Sequence, residues 1–287
     1  MRQIALYLPV DGQKQSRVNR VWRFFHKMKM EQKDFYGAFV RVIPKIVKNR
    51  YVIIDYTALR GYDVMLFIAS MPYKGRSIPF YGKVLRLKDL DNLTYLSKND
   101  FLECCMDEVL AIVPFSPVVI GDREFGAHWF LTYLEGKGVG YVIRIAKNKV
   151  VSEYGMNIEV SKLPPGKHLV QWRGLNFYIG KRDNPNKKDN FWIVAYSKDL
   201  VNMNSLHIAW TYLKRFQCEE MHKELKSRLN LLSLNKQRYY KEAYNTEIVN
   251  KFLMVLITAF FIGLYIGGLF KHRYKEHLNV IVSYEKE

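Results

Sequence analysis

The sequence predicts a mixed α/β fold with a β-rich insertion ahead of a long charged helix. Three observations carry this expectation. Apolar, β-branched runs at 51–61, 64–72 and 77–87 follow one another, the last two joined by a Lys-Gly-Arg turn. From residue 97 to 146 helical and strand patterns alternate. Between 147 and 196 the helical pattern disappears, and from Trp210 to Leu234 it returns with no Pro or Gly to break it.

Composition sets the frame for these elements. The chain has 287 residues, 49% of them hydrophobic, enough for a packed core and too many for wholesale disorder. Its formal charge of +18 points to a polyanionic partner, nucleic acid first and an anionic membrane surface second. The three cysteines, Cys104, Cys105 and Cys218, show no Cys-x-x-Cys or Cys/His zinc spacing. A reduced cytoplasmic protein without a structural metal is therefore expected. The opening MRQIALYLPVDGQ is too short in its apolar part for a signal peptide.

Residues 1–48 read as a short basic helical region. The first 50 residues hold twelve Lys or Arg against three acids. Val18, Val21, Phe24, Phe25 and Met28 recur at helical spacing between Ser16 and Tyr36, ringed by Arg17, Arg20, Arg23, Lys27 and Lys29. Such a helix either touches DNA phosphates or packs on the next domain.

The segment 49–146 reads as three strands, a helix, a strand, a helix and a strand. Asp55 lies in the first run, YVIIDYTALRG. Ser97 is placed to cap a helix from 98 to 112 with Phe101, Cys105, Val109 and Ile112 inward. SPVVIGDREFG then gives a short buried strand that runs out at Asp122, a helix from Gly126 to Glu135 follows, and GYVIRIA closes the segment as a strand. In 147–197 the runs NIEVSKL, HLVQWRG, LNFYIGKR and FWIVAYS alternate as strands between Pro-Pro-Gly and Asn-Pro-Asn turns. The segment 198–287 holds the charged helix and the uncharged run 252–270, whose length suits a membrane span or a helix buried on all sides.

On the charged helix, at about 100° per residue, Tyr212, Arg215, Glu219 and Lys226 fall within a roughly 60° stripe. Trp210, Cys218, Met221, Leu225, Leu229 and Leu232 form a second stripe beside it, suited to a core. By itself the first stripe also fits a solvated face with ion pairs such as Glu219 with Lys223. Its spacing, however, resembles the Y-R-E-K signature of the DDE transposases of insertion sequences, in the family numbered four. The Asp-Arg-Glu string at Asp122 resembles that family's second block, and the likeness runs from about residue 50 to 270.

The resemblance implies a ribonuclease H-like mixed sheet flanked by helices, interrupted by the β-rich insertion before the Glu-bearing helix. It implies a catalytic and metal-binding triad of Asp55, Asp122 and Glu219, with Asp55 bridging and each of the others holding one ion. Two divalent cations, Mg²⁺ with Mn²⁺ able to substitute, suit carboxylate oxygens and serve both oxygens of an in-line displacement at phosphorus. Arg215 and Lys226 are then expected on DNA phosphates and Tyr212 against the strand, while Trp172 and Trp192 suit a base-stacking role by type only. The implied partners are transposon ends and target DNA, bound by a homodimer on paired ends, with no membrane. No Walker-type loop or His-Glu-x-x-His pattern is present, so neither a nucleotide cofactor nor zinc hydrolysis is expected. The alternatives are an inactive DNA-binding remnant and a basic membrane-anchored protein using 252–270.

Overall fold

A computed structural model describes residues 13–46, 49–59, 64–86, 97–183, 191–225 and 246–264. It comprises two compact units, Met30–Glu224 and the combination of Met1–Lys29 with Leu225–Glu287.

The larger unit is built on one ten-stranded sheet in the order β3-β2-β1-β4-β5-β10-β9-β8-β6-β7. Strands β1 (Tyr51–Leu59), β2 (Val64–Tyr73) and β3 (Arg76–Arg86) form the expected antiparallel meander. The Lys-Gly-Arg turn works because Lys74 and Gly75 both take positive φ, 47° and 81°. That is the twist a two-residue hairpin needs. Tyr154-Gly155 and Arg173-Gly174 repeat the device between β6 (Val150–Glu153) and β7 (Met156–Glu159), and between β8 (Gly166–Trp172) and β9 (Leu175–Asp183).

Strands β4 (Val118–Gly121) and β5 (Gly140–Arg144) join the sheet parallel to β1. Parallel neighbours need a crossover. It is supplied by helix α3 (Lys98–Ile112) between β3 and β4, and by α4 (His128–Gly136) between β4 and β5. The Ser97 hydroxyl accepts the Asp100 N–H at 3.1 Å and starts α3 as expected. Phe101, Cys105 and Val109 are buried on its inner face. The helix expected from Gly126 begins instead at His128.

The order β3-β2-β1-β4-β5 is that of a ribonuclease H-like sheet, as anticipated. The β-rich segment continues this sheet, because β10 (Phe191–Tyr196) pairs antiparallel with β5. Helix α2 (Gln32–Ile46) packs on β3 and α3, with the buried Tyr36 hydroxyl donating to Gly82 O at 3.0 Å.

The basic region is helical, as two helices, α1 (Lys14–Lys27) and α2, because the backbone turns extended at Met28. One helical expectation is corrected. The helix expected to run unbroken from Trp210 is α5 (Ser205–Leu213), a 3₁₀ turn (Lys214–Phe216) and α6 (Gln217–Lys223). Lys226, Leu229, Leu232 and the 235–245 segment lie outside the described residues.

In the smaller unit, the apolar run is described as far as Leu264, in helix α7, Thr246–Leu264. Its length and hydropathy match a membrane span and a core helix alike. Phe252, Leu253, Met254 and Ile257 are buried and the Phe252 ring meets Phe25 of α1 at 5.8 Å, while Ile262 is exposed and 39% of the apolar window is buried.

Candidate active site

Asp55 and Asp122 come together through strand register. β1 pairs with β4 so that Ile53 stands opposite Ile120. Two residues further on are Asp55, still within β1, and Asp122, the first residue past the end of β4. Side chains alternate with period two along a strand, so Asp55 shares a face with Ile53, and Asp122 follows the partner strand at the neighbouring position. The chain turns immediately after Asp122, whose Oδ1 accepts the Glu124 N–H at 2.8 Å. Gly126 closes this loop against the end of β5, where any Cβ would stand 2.3 Å from the Arg144 carbonyl oxygen.

Burial pushes the Asp122 carboxyl above its ordinary range, and the negative charge on Asp55 adds to the shift. The Glu124 N–H and the Arg215 guanidinium oppose it. Two carboxylates held together in a partly dry site have a strong call for a cation. Their all-oxygen donor set suits Mg²⁺ or Mn²⁺, so the residues present fit the hard divalent ions that the sequence implied.

The 3₁₀ turn packs on β4 and delivers Arg215 to this place. Burial lowers the Arg215 guanidinium, but Tyr212, Cys218, Asp55 and Asp122 together raise it, so it stays charged. Arg215 Nη2 donates to Glu219 Oε1 at 2.8 Å. The Arg215 side chain is 14% exposed and that of Glu219 57% exposed, so the pair spans from the site to solvent. The carboxylates of Asp55, Asp122 and Glu219 do not all lie within 4.8 Å of one another.

Tyr212 was expected on the presented stripe and Trp210 on the core stripe; the structure reverses them. Tyr212 is 3% exposed and Trp210 65% exposed. A 3₁₀ turn advances about 120° per residue where an α-helix advances about 100°. Three such residues shift the phase by roughly 60°, which carries Tyr212 toward the core stripe and Trp210 away from it. The buried Tyr212 phenol is raised by desolvation, while Arg215 and a hydrogen bond with Arg144 lower it. Arg144, at the end of β5, is a cation of this site that sequence reading missed. Its place beyond an apolar strand, level with the strand ending at Asp122, was the available signal.

Cys218 and His222 were missed as well. His222 Nε2 lies 2.9 Å from Asp55 Oδ2, and Cys218 Sγ lies 3.7 Å from the same oxygen. Burial and the Asp55 charge push the Cys218 thiol well up. The signal available was their i,i+4 spacing, which sets both on one helix face. Trp172 is buried at 8%, edge-on to His128 and beneath the Lys149 ammonium, the surroundings of a packed residue.

A ribonuclease H-like sheet with one acid within β1 and another just past the end of the adjoining β4, opposed by a 3₁₀ turn bearing Arg and a helix bearing Glu, defines a class of nucleic-acid-processing α/β proteins. Within it, the chain matches the family described as the transposase DDE domain over residues 98–254. That span is more than half of the 287 residues, and the chain belongs to this family. No curated protein matches it.

Proposed function

We propose that this protein is a transposase of the insertion-sequence-four type, which binds the terminal inverted repeats of its element, cuts the DNA and joins the ends to a target. The observation that carries the reading is the register of β1 against β4, which brings Asp55 and Asp122 to neighbouring positions facing the Arg215–Glu219 ion pair. In this reading Asp55, Asp122 and Glu219 hold two divalent cations, Mg²⁺ or Mn²⁺. When bound, these ions lower the pKa of the attacking water or 3′-hydroxyl and stabilise the leaving oxygen.

The chain's own residues supply the rest. Asp55 and Asp122, fixed by the sheet, offer oxygen donors at constant spacing. Arg215 neutralises a phosphate oxygen beside the scissile bond with its planar fork, and releases Glu219 as it does so. Tyr212 and Arg144 buttress Arg215 from the core side, so Tyr212 acts on DNA through its neighbour. Lys226 adds a second phosphate contact. The basic residues of 1–48 extend the contact along the duplex, with 49–146 and 198–287 forming the core and 147–197 the insertion. A homodimer on paired ends, in a cytoplasmic, nucleoid-associated setting and needing no nucleotide cofactor, completes the proposal.

The test is cleavage of a labelled duplex carrying the element's own end, with Mg²⁺ or Mn²⁺, by wild type beside Asp55→Asn, Asp122→Asn and Glu219→Gln. Cutting that all three substitutions abolish while binding persists supports the reading. Tight binding without cutting by wild type would establish an inactive remnant instead.

A further inference from the structure

We propose that Asp55, Cys218 and His222 form a nitrogen–sulfur–oxygen site for a divalent cation of the zinc class. The three ligand atoms lie within 4.8 Å of one another. All three residues belong to the larger unit, with Cys218 and His222 on one face of α6, which packs on β2 and β3, and Asp55 on β1.

One of the two separations to Asp55 matches coordination and the other falls short of it. A tetrahedral zinc site sets carboxylate oxygen about 3.6 Å from thiolate sulfur and about 3.4 Å from imidazole nitrogen. The corresponding distances are 3.7 Å for Cys218 Sγ and 2.9 Å for His222 Nε2, so only the second must open, by about half an ångström.

An independent observation points to a ligand. The His222 residue is 7% exposed, yet neither ring nitrogen makes a hydrogen bond of acceptable geometry. Nε2 is close to Asp55 Oδ2 in distance alone. A buried imidazole with no well-formed hydrogen bond is unusual, since buried polar atoms are almost always satisfied. Coordination through Nε2 satisfies one nitrogen and uses Asp55 and Cys218 at the same time. Sulfur and imidazole select zinc-class ions over Mg²⁺, so this site is chemically distinct from the all-oxygen pair of Asp55 and Asp122. Asp55 belongs to both. A zinc-class ion therefore competes with Mg²⁺ for one carboxylate and inhibits cleavage, a consequence that rests on the transposase reading; the binding itself does not.

The test uses the full chain, stripped with chelator and titrated with Co²⁺ as a spectroscopic stand-in for Zn²⁺. The expected result is thiolate-to-cobalt charge-transfer absorption that saturates at about one ion per chain and is bleached by Zn²⁺. Cys218→Ser abolishes the band, and His222→Gln weakens binding at least tenfold, by analogy with the about 10–100-fold losses seen when ligand-orienting partners are removed. Should Cys218→Ser fail to fold, a Cys104→Ser/Cys105→Ser chain must keep the band. A folded wild type without the band, or a band that survives Cys218→Ser, overturns the proposal and leaves His222 as a residue that merely orients Asp55. A band with no DNA cleavage under Mg²⁺ sinks the transposase reading and spares the site; cleavage without a band does the reverse.

Discussion

Nε2 of His222 lies 2.9 Å from Oδ2 of Asp55, which ties helix α6 to strand β1 across 167 positions of sequence. The contact fixes where the helix bearing Glu219 meets the sheet bearing the two aspartates. Asp55→Asn keeps the shape of this contact and removes its charge. It is expected to leave the fold intact and to lower metal-dependent cleavage by about a thousandfold or more, the scale of several kcal/mol of lost transition-state stabilisation. Single-turnover cleavage rates, read beside a melting curve, check both halves.

Asp122 carries the clearest pH signature. Its folded carboxyl is raised above the unfolded value by burial and by Asp55. The folded state therefore binds this proton more tightly than the unfolded state does. The stability it contributes is fully present below the unfolded carboxylate pKa and is lost as pH rises through the raised folded value. In chelator, Asp122→Asn is expected to melt higher than wild type at neutral pH, with the gap closing in acid. A gap of opposite sign would mean that Asp122 is paired and not strained.

Gly126 holds the loop after Asp122 against the end of β5. A Cβ there would stand 2.3 Å from the Arg144 carbonyl oxygen, which is backbone and does not step aside. Gly126→Ala is expected to destabilise by about 1–3 kcal/mol, the range for overpacking, and to reduce cleavage through Asp122 and Arg144 together. Gly136→Ala, with nothing within 4 Å of its added Cβ, is the neutral control in denaturant melts.

Arg215 is expected to leave Glu219 for a DNA phosphate. Arg215→Ala then reduces the slope of log binding constant against log salt by about 0.9, the value for one phosphate contact. An unchanged slope would confine Arg215 to its ion pair with Glu219.

Much of the larger unit's sheet was legible because its signals are local. The apolar, β-branched runs 51–61, 64–72 and 77–87, a Lys-Gly-Arg turn and the Ser97 cap each act within a few residues. The reversal of Tyr212 and Trp210 was not legible. It depends on a 3₁₀ turn at Lys214–Phe216 that packs on β4 and hands the Tyr212 hydroxyl to Arg144, and helical periodicity assumes a constant 100° step. The pairing of His222 with Asp55 was invisible for a related reason. His222 falls between the polar and apolar stripes of its helix, and only the docking of α6 decides what it faces. The extension of the sheet by β10 likewise rests on pairing with β5 over about fifty positions, which no turn signal encodes.

The most direct test of the central claim is metal-dependent cutting of a duplex that carries the element's end, by wild type and by the Asp55→Asn, Asp122→Asn and Glu219→Gln chains. Cleavage at the end by wild type, lost in all three variants with end binding retained, is the result predicted. Cleavage that survives any one of the three, or wild-type protein that binds the end tightly and never cuts it, would contradict it.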